Sequence, residues 1–142
     1  MSTASKVITI EQLTVRADRL VCKVVLAPGA ARHTTPALAK RIREAFPDIV
    51  RHACVNDEGD TFGAVIDHTS LPHVLEHLVI SIQTSAAAEN LTASNDLVFT
   101  GTTEWIDEKA GRARIEVSFT DDLVALRAFR DATRFLNETV VP

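Results

Sequence analysis

The stretch Arg112-Ala113-Arg114-Ile115-Glu116-Val117-Ser118-Phe119 alternates residue by residue between polar and apolar side chains. Successive residues of a β-strand point to opposite faces, so this pattern dictates one buried and one solvated face. Just upstream, Asp107-Glu108-Lys109-Ala110-Gly111 is a polar connection ending in glycine, and Asp96 to Ile106 reads as the strand that it joins, making an antiparallel hairpin. Further out, Leu13 to Ala27 is rich in Val and Leu, and within it Leu20-Val21-Cys22-Lys23-Val24-Val25-Leu26 is a strand closed by Pro28-Gly29. The helices fall between these segments. Thr35 caps the first, with Pro36 at its first position; Leu38, Ala39, Ile42, Ala45 and Phe46 follow at helical spacing, and Pro47 stops it. The second begins near Thr69-Ser70, carries Leu71, Leu75, Leu78, Val79 and Ile82 as its apolar stripe, and runs out through Ala86-Ala87-Ala88. Thr120-Asp121-Asp122 caps the third, whose apolar face is Leu123, Leu126, Phe129, Ala132, Thr133 and Leu136. The order strand, helix, helix, hairpin, helix defines an α+β protein. Its expected form is a two-layer sandwich, with an antiparallel or mixed sheet and about three helices on one face.

The chain of 142 residues has room for one domain, 1–142, with residues 1–12 expected to be loosely ordered. Fifteen Lys and Arg against nineteen Asp and Glu leave a net charge of -4. That excludes the clustered basic excess that nucleic acid requires, and six Phe, one Trp and no Tyr offer few rings for stacking on bases. No apolar run approaches the roughly 20 residues of a membrane span. The N-terminus lacks the apolar core of a signal peptide. Two cysteines, Cys22 and Cys54, are too few for a disulfide framework, which makes the cytoplasm the expected compartment. The oligomeric state, a homo-oligomer included, is left open.

Five histidines remain to be accounted for. His73-Val74-Leu75-Glu76-His77 lies in the first turns of the second helix. Residues at i and i+4 project from one side of a helix, so both imidazoles can converge on one cation. Glu76 neighbours both. This is the H-x-x-E-H order of the inverted zinc hydrolases, where the glutamate handles the proton of the water activated by the metal. By chance the pattern arises in roughly one chain in a hundred of this composition, so its position beside a dense apolar stripe carries much of the weight. The expected metal is zinc. A catalytic zinc takes a third protein ligand, and the candidates are His33, His52, Cys54, His68, Glu104 and Glu116. As a thiolate Cys54 suits zinc; as an ordinary free cysteine it is a small buried apolar residue, and the residues alone weigh these equally. Cys22, among Val and Leu mid-strand, reads as core.

From Phe46 to about Leu136 the chain resembles the small N-terminal domain of cyanophycin synthetases. Phe46-Pro47-Asp48-Ile49-Val50-Arg51-His52-Ala53-Cys54 is similar to that domain's "PGL-x-x-H-x-C" segment. His73-Val74-Leu75-Glu76-His77-Leu78-Val79-Ile80-Ser81-Ile82-Gln83 resembles its "HV-x-EH-x-A-L-E-L-Q" helix. Arg114-Ile115-Glu116-Val117-Ser118-Phe119, with Ala128 and Arg130 in the helix behind it, resembles its last strand and closing helix. The resemblance implies a metal-dependent hydrolytic site that cuts the Asp-Arg polymer cyanophycin. It implies His73 and His77 as zinc ligands, Glu76 as the general base and Cys54 as third ligand, with His52 in reserve. The synthetases' ligase machinery has no counterpart among these residues. The family's arginine-bearing "FGRTR"-like segment is replaced by Phe99-Thr100-Gly101-Thr102-Thr103-Glu104, which separates this chain from the cyanophycin substrate more than from the metal chemistry. S-ribosylhomocysteine lyases share the H-x-x-E-H helix, but their cysteine ligand follows it, and here no cysteine does.

Two functions are therefore expected. The first is a zinc-dependent hydrolase acting on amide bonds of a peptide or polymer substrate, whose binding residues the sequence does not name. The alternative is a non-catalytic, metal-containing module that binds a peptide or protein partner. Other features have ordinary explanations. Arg127, Arg130 and Arg134 form a stripe that reads as a solvated helix face. His68 reads as a cap of the second helix, Trp105 as hairpin core or pocket wall, and Glu104 and Glu116 as supports for the histidines.

Overall fold

The computed structural model describes residues 6–56, 59–89 and 99–140. Four strands form one sheet: β1 (Ile8–Val15), β2 (Arg19–Leu26), β5 (Gly101–Asp107) and β6 (Arg112–Ser118). Their order is β1-β2-β6-β5 and every pairing is antiparallel, which settles the sheet as antiparallel rather than mixed. Cys22 stands opposite Ile115 and Val24 opposite Ala113, so the apolar positions of β2 and β6 share a face. The alternation read in β6 is the alternation observed: Ala113, Ile115 and Val117 are buried and the residues between them are not. Of the strand expected over Asp96–Ile106, the described part begins at Gly101; Asp96 to Val98 lie outside the described residues.

β1 is an addition. The loose stretch expected at residues 1–12 gives way to a strand from Ile8, while residues 1–5 lie outside the described residues. The sequence signal is weak because, among the described residues of this segment, only Val7 and Ile8 are buried. A long-range contact supplies what composition does not. Asn137 Oδ1 accepts from the N–H groups of Val7 and Ile8 at 2.8 and 3.0 Å, and its Nδ2 donates to the Ile8 carbonyl at 3.0 Å.

Three helices complete the domain: α1 (Pro36–Ala45), α2 (Leu71–Glu89) and α3 (Asp122–Thr139). Thr35 Oγ1 accepts from Leu38 N–H at 3.2 Å, and Pro47 ends α1 and opens a 3₁₀ turn over Pro47–Arg51, as the sequence dictates. α1 enters the core through Leu38, Ala39 and Ile42. α2 lies over β5 and β6, α3 over β1 and β2, and the two helices pack on each other. α2 is buried nearly all round from Leu71 to Ser81, as a helix wedged between a sheet and another helix must be. Asp121 caps α3, accepting from Leu123 and Val124. Leu123, expected on the apolar face, is 65% exposed, because the packed stretch of α3 starts only at Ala125. The result is α+β: helices over one face of an antiparallel sheet.

Outside the main sheet, β3 (Ala53–Asn56) and β4 (Gly59–Thr61) form a small hairpin, with Ala53 opposite Thr61. A 3₁₀ turn, Phe62–Ala64, follows and sinks Phe62 completely into the core. This hairpin brings the segment after α1 against the first turns of α2. Among the described residues no helix is long and apolar enough to cross a membrane.

Candidate metal centre

α2 places His73 and His77 one turn apart, with ring centroids 4.9 Å from each other. The start of the helix is pinned by Ser70, whose Oγ accepts from His73 N–H at 3.2 Å; the cap assigned to His68 from sequence belongs to this serine. β3 supplies Cys54. One ligand atom each from Cys54, His73 and His77 lies within 4.8 Å of the others, so this group could hold a metal ion. Cys54 Sγ is 3.4 Å from His73 Nε2. A thiolate with two imidazoles is a donor set that suits zinc, so the residues present fit the metal expected from the motif.

The neighbours of each ring decide which atoms are free. Thr69 Oγ1 lies 2.9 Å from His73 Nδ1, leaving Nε2 to face Cys54. His77 Nδ1 is 3.1 Å from His52 Nδ1, and its Nε2 is 3.6 Å from Glu76 Oε2. Phe62 stacks on His77 at 4.2 Å and meets His73 edge-on at 5.1 Å, a wedge that fixes both ring planes. His52 is thus a partner of His77 rather than a member of the three-donor group.

Glu76 is 4% exposed. Thr103, on β5, donates its hydroxyl to Glu76 Oε1 at 2.6 Å. On the same strand Gly101 leaves room for the carboxylate: a Cβ there would stand 2.9 Å from Glu76 Cγ, 3.0 Å from Oε2 and 2.9 Å from the Glu116 carbonyl oxygen. Burial pushes the Glu76 carboxyl up to about 7, with the Thr103 bond pulling the other way. Burial, then the nearby His73 and His52, push His77 down to about 3. Burial also lowers His73, and lowers His52 against an opposing pull from Asp48. The imidazoles are therefore neutral at pH 7, which is the form that binds a metal.

These groups line a cleft of about 790 Å³. Ile80 and Thr84 of α2 form one wall and Thr100 to Thr103 the other, with the ion pair of Asp48 and Arg51 on the exposed rim.

The other candidates go elsewhere. His33 and His68 stack on each other, centroids 5.0 Å apart and planes 14° from parallel. Glu104 and Glu116 do not support the histidines: Arg114 takes both, at 3.9 and 3.4 Å, and Arg19 also pairs with Glu116 at 3.5 Å. Their side chains leave the wet side of the hairpin, whereas Gly101 and Thr103 face α2. Trp105 packs against the core. Cys22 is fully buried, its thiol pushed up to about 12 by that burial. Arg130 and Arg134 border a separate groove between β1 and α3. Sequence reasoning missed Thr69, Phe62, Gly101 and Thr103. Only Thr69, one helical turn before His73, carried a local signal.

Residues 23–141 match the family model described as the cyanophycin synthase-like N-terminal domain. No curated protein and no solved structure shows significant similarity to the chain.

Proposed function

The chain belongs to the cyanophycin synthase-like N-terminal domain family, and from that premise we propose that it is a zinc-dependent hydrolase of amide bonds in a peptide-like polymer. Cys54, His73 and His77 are its metal ligands and Glu76 its general base. The observation that carries this reading is the meeting of those three donors, within 4.8 Å, beside a buried carboxyl 3.6 Å from His77. A metal site built only to hold structure has no use for Glu76. Held by these three residues, zinc would supply Lewis acidity to a water and to the scissile carbonyl.

The chain's own groups do the rest. Thr103 occupies Glu76 Oε1, so Oε2 is the oxygen left to move a proton. A carboxyl raised to about 7 can take the proton of the attacking water and hand it to the leaving amine at neutral pH. Water thereby supplies hydroxyl to the carbonyl carbon, the carbon–nitrogen bond breaks, and the proton ends on nitrogen. The neutral imidazole is the form in which His73 and His77 would bind a metal, and Phe62 packs against both rings. Cyanophycin itself enters only through the family's name.

A second reading, the non-catalytic binding module, draws on Phe99–Glu104. Phe99 to Thr103 of that stretch wall the cleft, with no arginine among them to grip an Asp-Arg chain. One experiment separates the two. Protein purified without chelator is assayed for metal and for cleavage of Asp-Arg polymer and of peptides, as wild type, Glu76→Gln and Cys54→Ser. The hydrolase reading expects one zinc per chain. It expects Glu76→Gln to keep the metal and lose about 100-fold or more in turnover, and Cys54→Ser to lose metal. Full metal with no turnover of any substrate would establish the binding module instead.

A further inference from the structure

β5 is an edge strand, with β6 as its one neighbour in the described sheet. Which of its backbone groups the described sheet leaves unbonded follows from register. Ser118 N–H donates to the Thr100 carbonyl at 2.8 Å, and the pairs Gly101 with Val117, Thr102 with Glu116 and Thr103 with Ile115 continue from there. In an antiparallel ladder, bonded and non-bonded pairs alternate. Thr102 therefore turns its N–H and C=O toward β6, and Gly101 and Thr103 turn theirs outward from the sheet.

That outward edge borders the cleft. Thr100 and Thr102 belong to one face of the strand, Gly101 and Thr103 to the other, and all four line the same space. A cavity touched by both faces of a strand runs along its edge. We propose that the free edge of β5 docks an extended, uncharged peptide as an added strand beside Cys54, His73 and His77, a proposal that rests on reading that group as a hydrolytic centre. Backbone hydrogen bonds to Gly101 and Thr103 hold the peptide straight and in register, the usual mode of strand addition. Glu76, tied to this strand by Thr103 at 2.6 Å, lines the same space as the docked backbone.

The lining names the side chains. Among the described residues around the cleft the charged groups are Glu76, Asp48 and Arg51, and the last two pair with each other on the rim. Along β5 and α2 the walls are Thr100, Thr102, Thr84 and Ile80. Among the described residues no free cation stands there to receive an acidic chain, so small and apolar side chains fit better than alternating Asp and Arg.

Amide hydrogen exchange, read by NMR on the full chain, tests this. Zinc-loaded Glu76→Gln protein is mixed at millimolar concentration with the blocked peptide acetyl-Thr-Ala-Val-Ala-Thr-Ala-amide. Controls are the same peptide N-methylated at alternate amides and a blocked Asp-Arg peptide of equal length. Exchange at Gly101 and Thr103 is expected to slow by about tenfold or more while Thr102 is unchanged. Neither control should produce the effect. Unchanged Gly101 and Thr103 amides, or equal protection by the Asp-Arg peptide, would overturn the proposal. So would protection that grows with protein concentration in the absence of peptide, which would give the edge to a second copy of the chain. The readout needs no turnover, so a failure of cleavage by wild type is a separate result that strikes the hydrolytic reading.

Discussion

At Glu76, burial and hydrogen bonding act against each other, and burial wins: the carboxyl titrates near 7 despite the hydroxyl of Thr103 at 2.6 Å. At His73 the division of labour is between its two nitrogens, one 2.9 Å from Thr69 and the other 3.4 Å from Cys54. A partner on the outer nitrogen fixes tautomer and orientation, and removing such partners typically costs 10 to 100-fold in metal affinity, roughly. Thr69→Val should therefore weaken zinc binding by about that factor in a chelator competition, and Thr69→Ser should restore it. Equal affinities for all three proteins would show that His73 needs no such support. At this scale the sequence was generous with local relations and silent about distant ones. His73, Glu76 and His77 stand out because helical spacing puts them together. Cys54 is one of six candidates, its ligand and core readings left level by the residues alone, and only the family resemblance singles it out. Phe62, Gly101 and Thr103 could not be found, since their roles exist only once the 3₁₀ turn after β4, and β5 itself, have closed on α2.

The elements that matter most for the site are α2 and β5, and they meet through a glycine. A side chain at Gly101 would press on the Glu116 carbonyl at 2.9 Å and on Glu76 Cγ at 2.9 Å. The backbone oxygen cannot retreat, so the carboxylate or the strand must. Gly101→Ala should cost about 1–3 kcal/mol in urea unfolding. In the double variant with Glu76→Ala part of that cost should return; if the two costs simply add, the clash with Glu76 is not what Gly101 avoids. Element boundaries were legible wherever a side chain or a proline writes them locally, as at Thr35, Pro36, Pro47 and Asp121. β1 was not legible, because a partner 130 residues away completes it.

For the whole molecule, two buried groups tilt stability in opposite directions with pH. Glu76 rises from 4.5 to about 7 on folding, so its contribution is complete below 4.5 and is lost as pH climbs through 7. His77 falls from 6.5 to about 3, so its contribution is complete above 6.5 and is lost as pH drops through 3. Between 4.5 and 6.5 the two slopes oppose each other. Glu76→Gln removes one of them. In chelator-treated protein its stability relative to wild type should improve by about 3 kcal/mol between pH 4.5 and 7.5, since each tenfold change in proton affinity is worth about 1.36 kcal/mol. A constant difference across that range would mean that Glu76 titrates as an ordinary surface carboxyl. The arrangement of the sheet was largely readable, since β6 declares its buried face and its hairpin declares antiparallel pairing. What was hidden is that the two borders of the sheet are unlike. At Ile8 the Asn137 amide both accepts and donates, as a neighbouring strand's peptide group would. It stands in for the next strand at Val7 and Ile8 and so covers the start of the row of unpaired groups through which sheets recruit one another into aggregates. The far border has no such terminator in its described residues. Asn137→Ala would free the Val7 and Ile8 groups and leave the β1 border open along its whole length, expected as a rise in light scattering on storage relative to wild type.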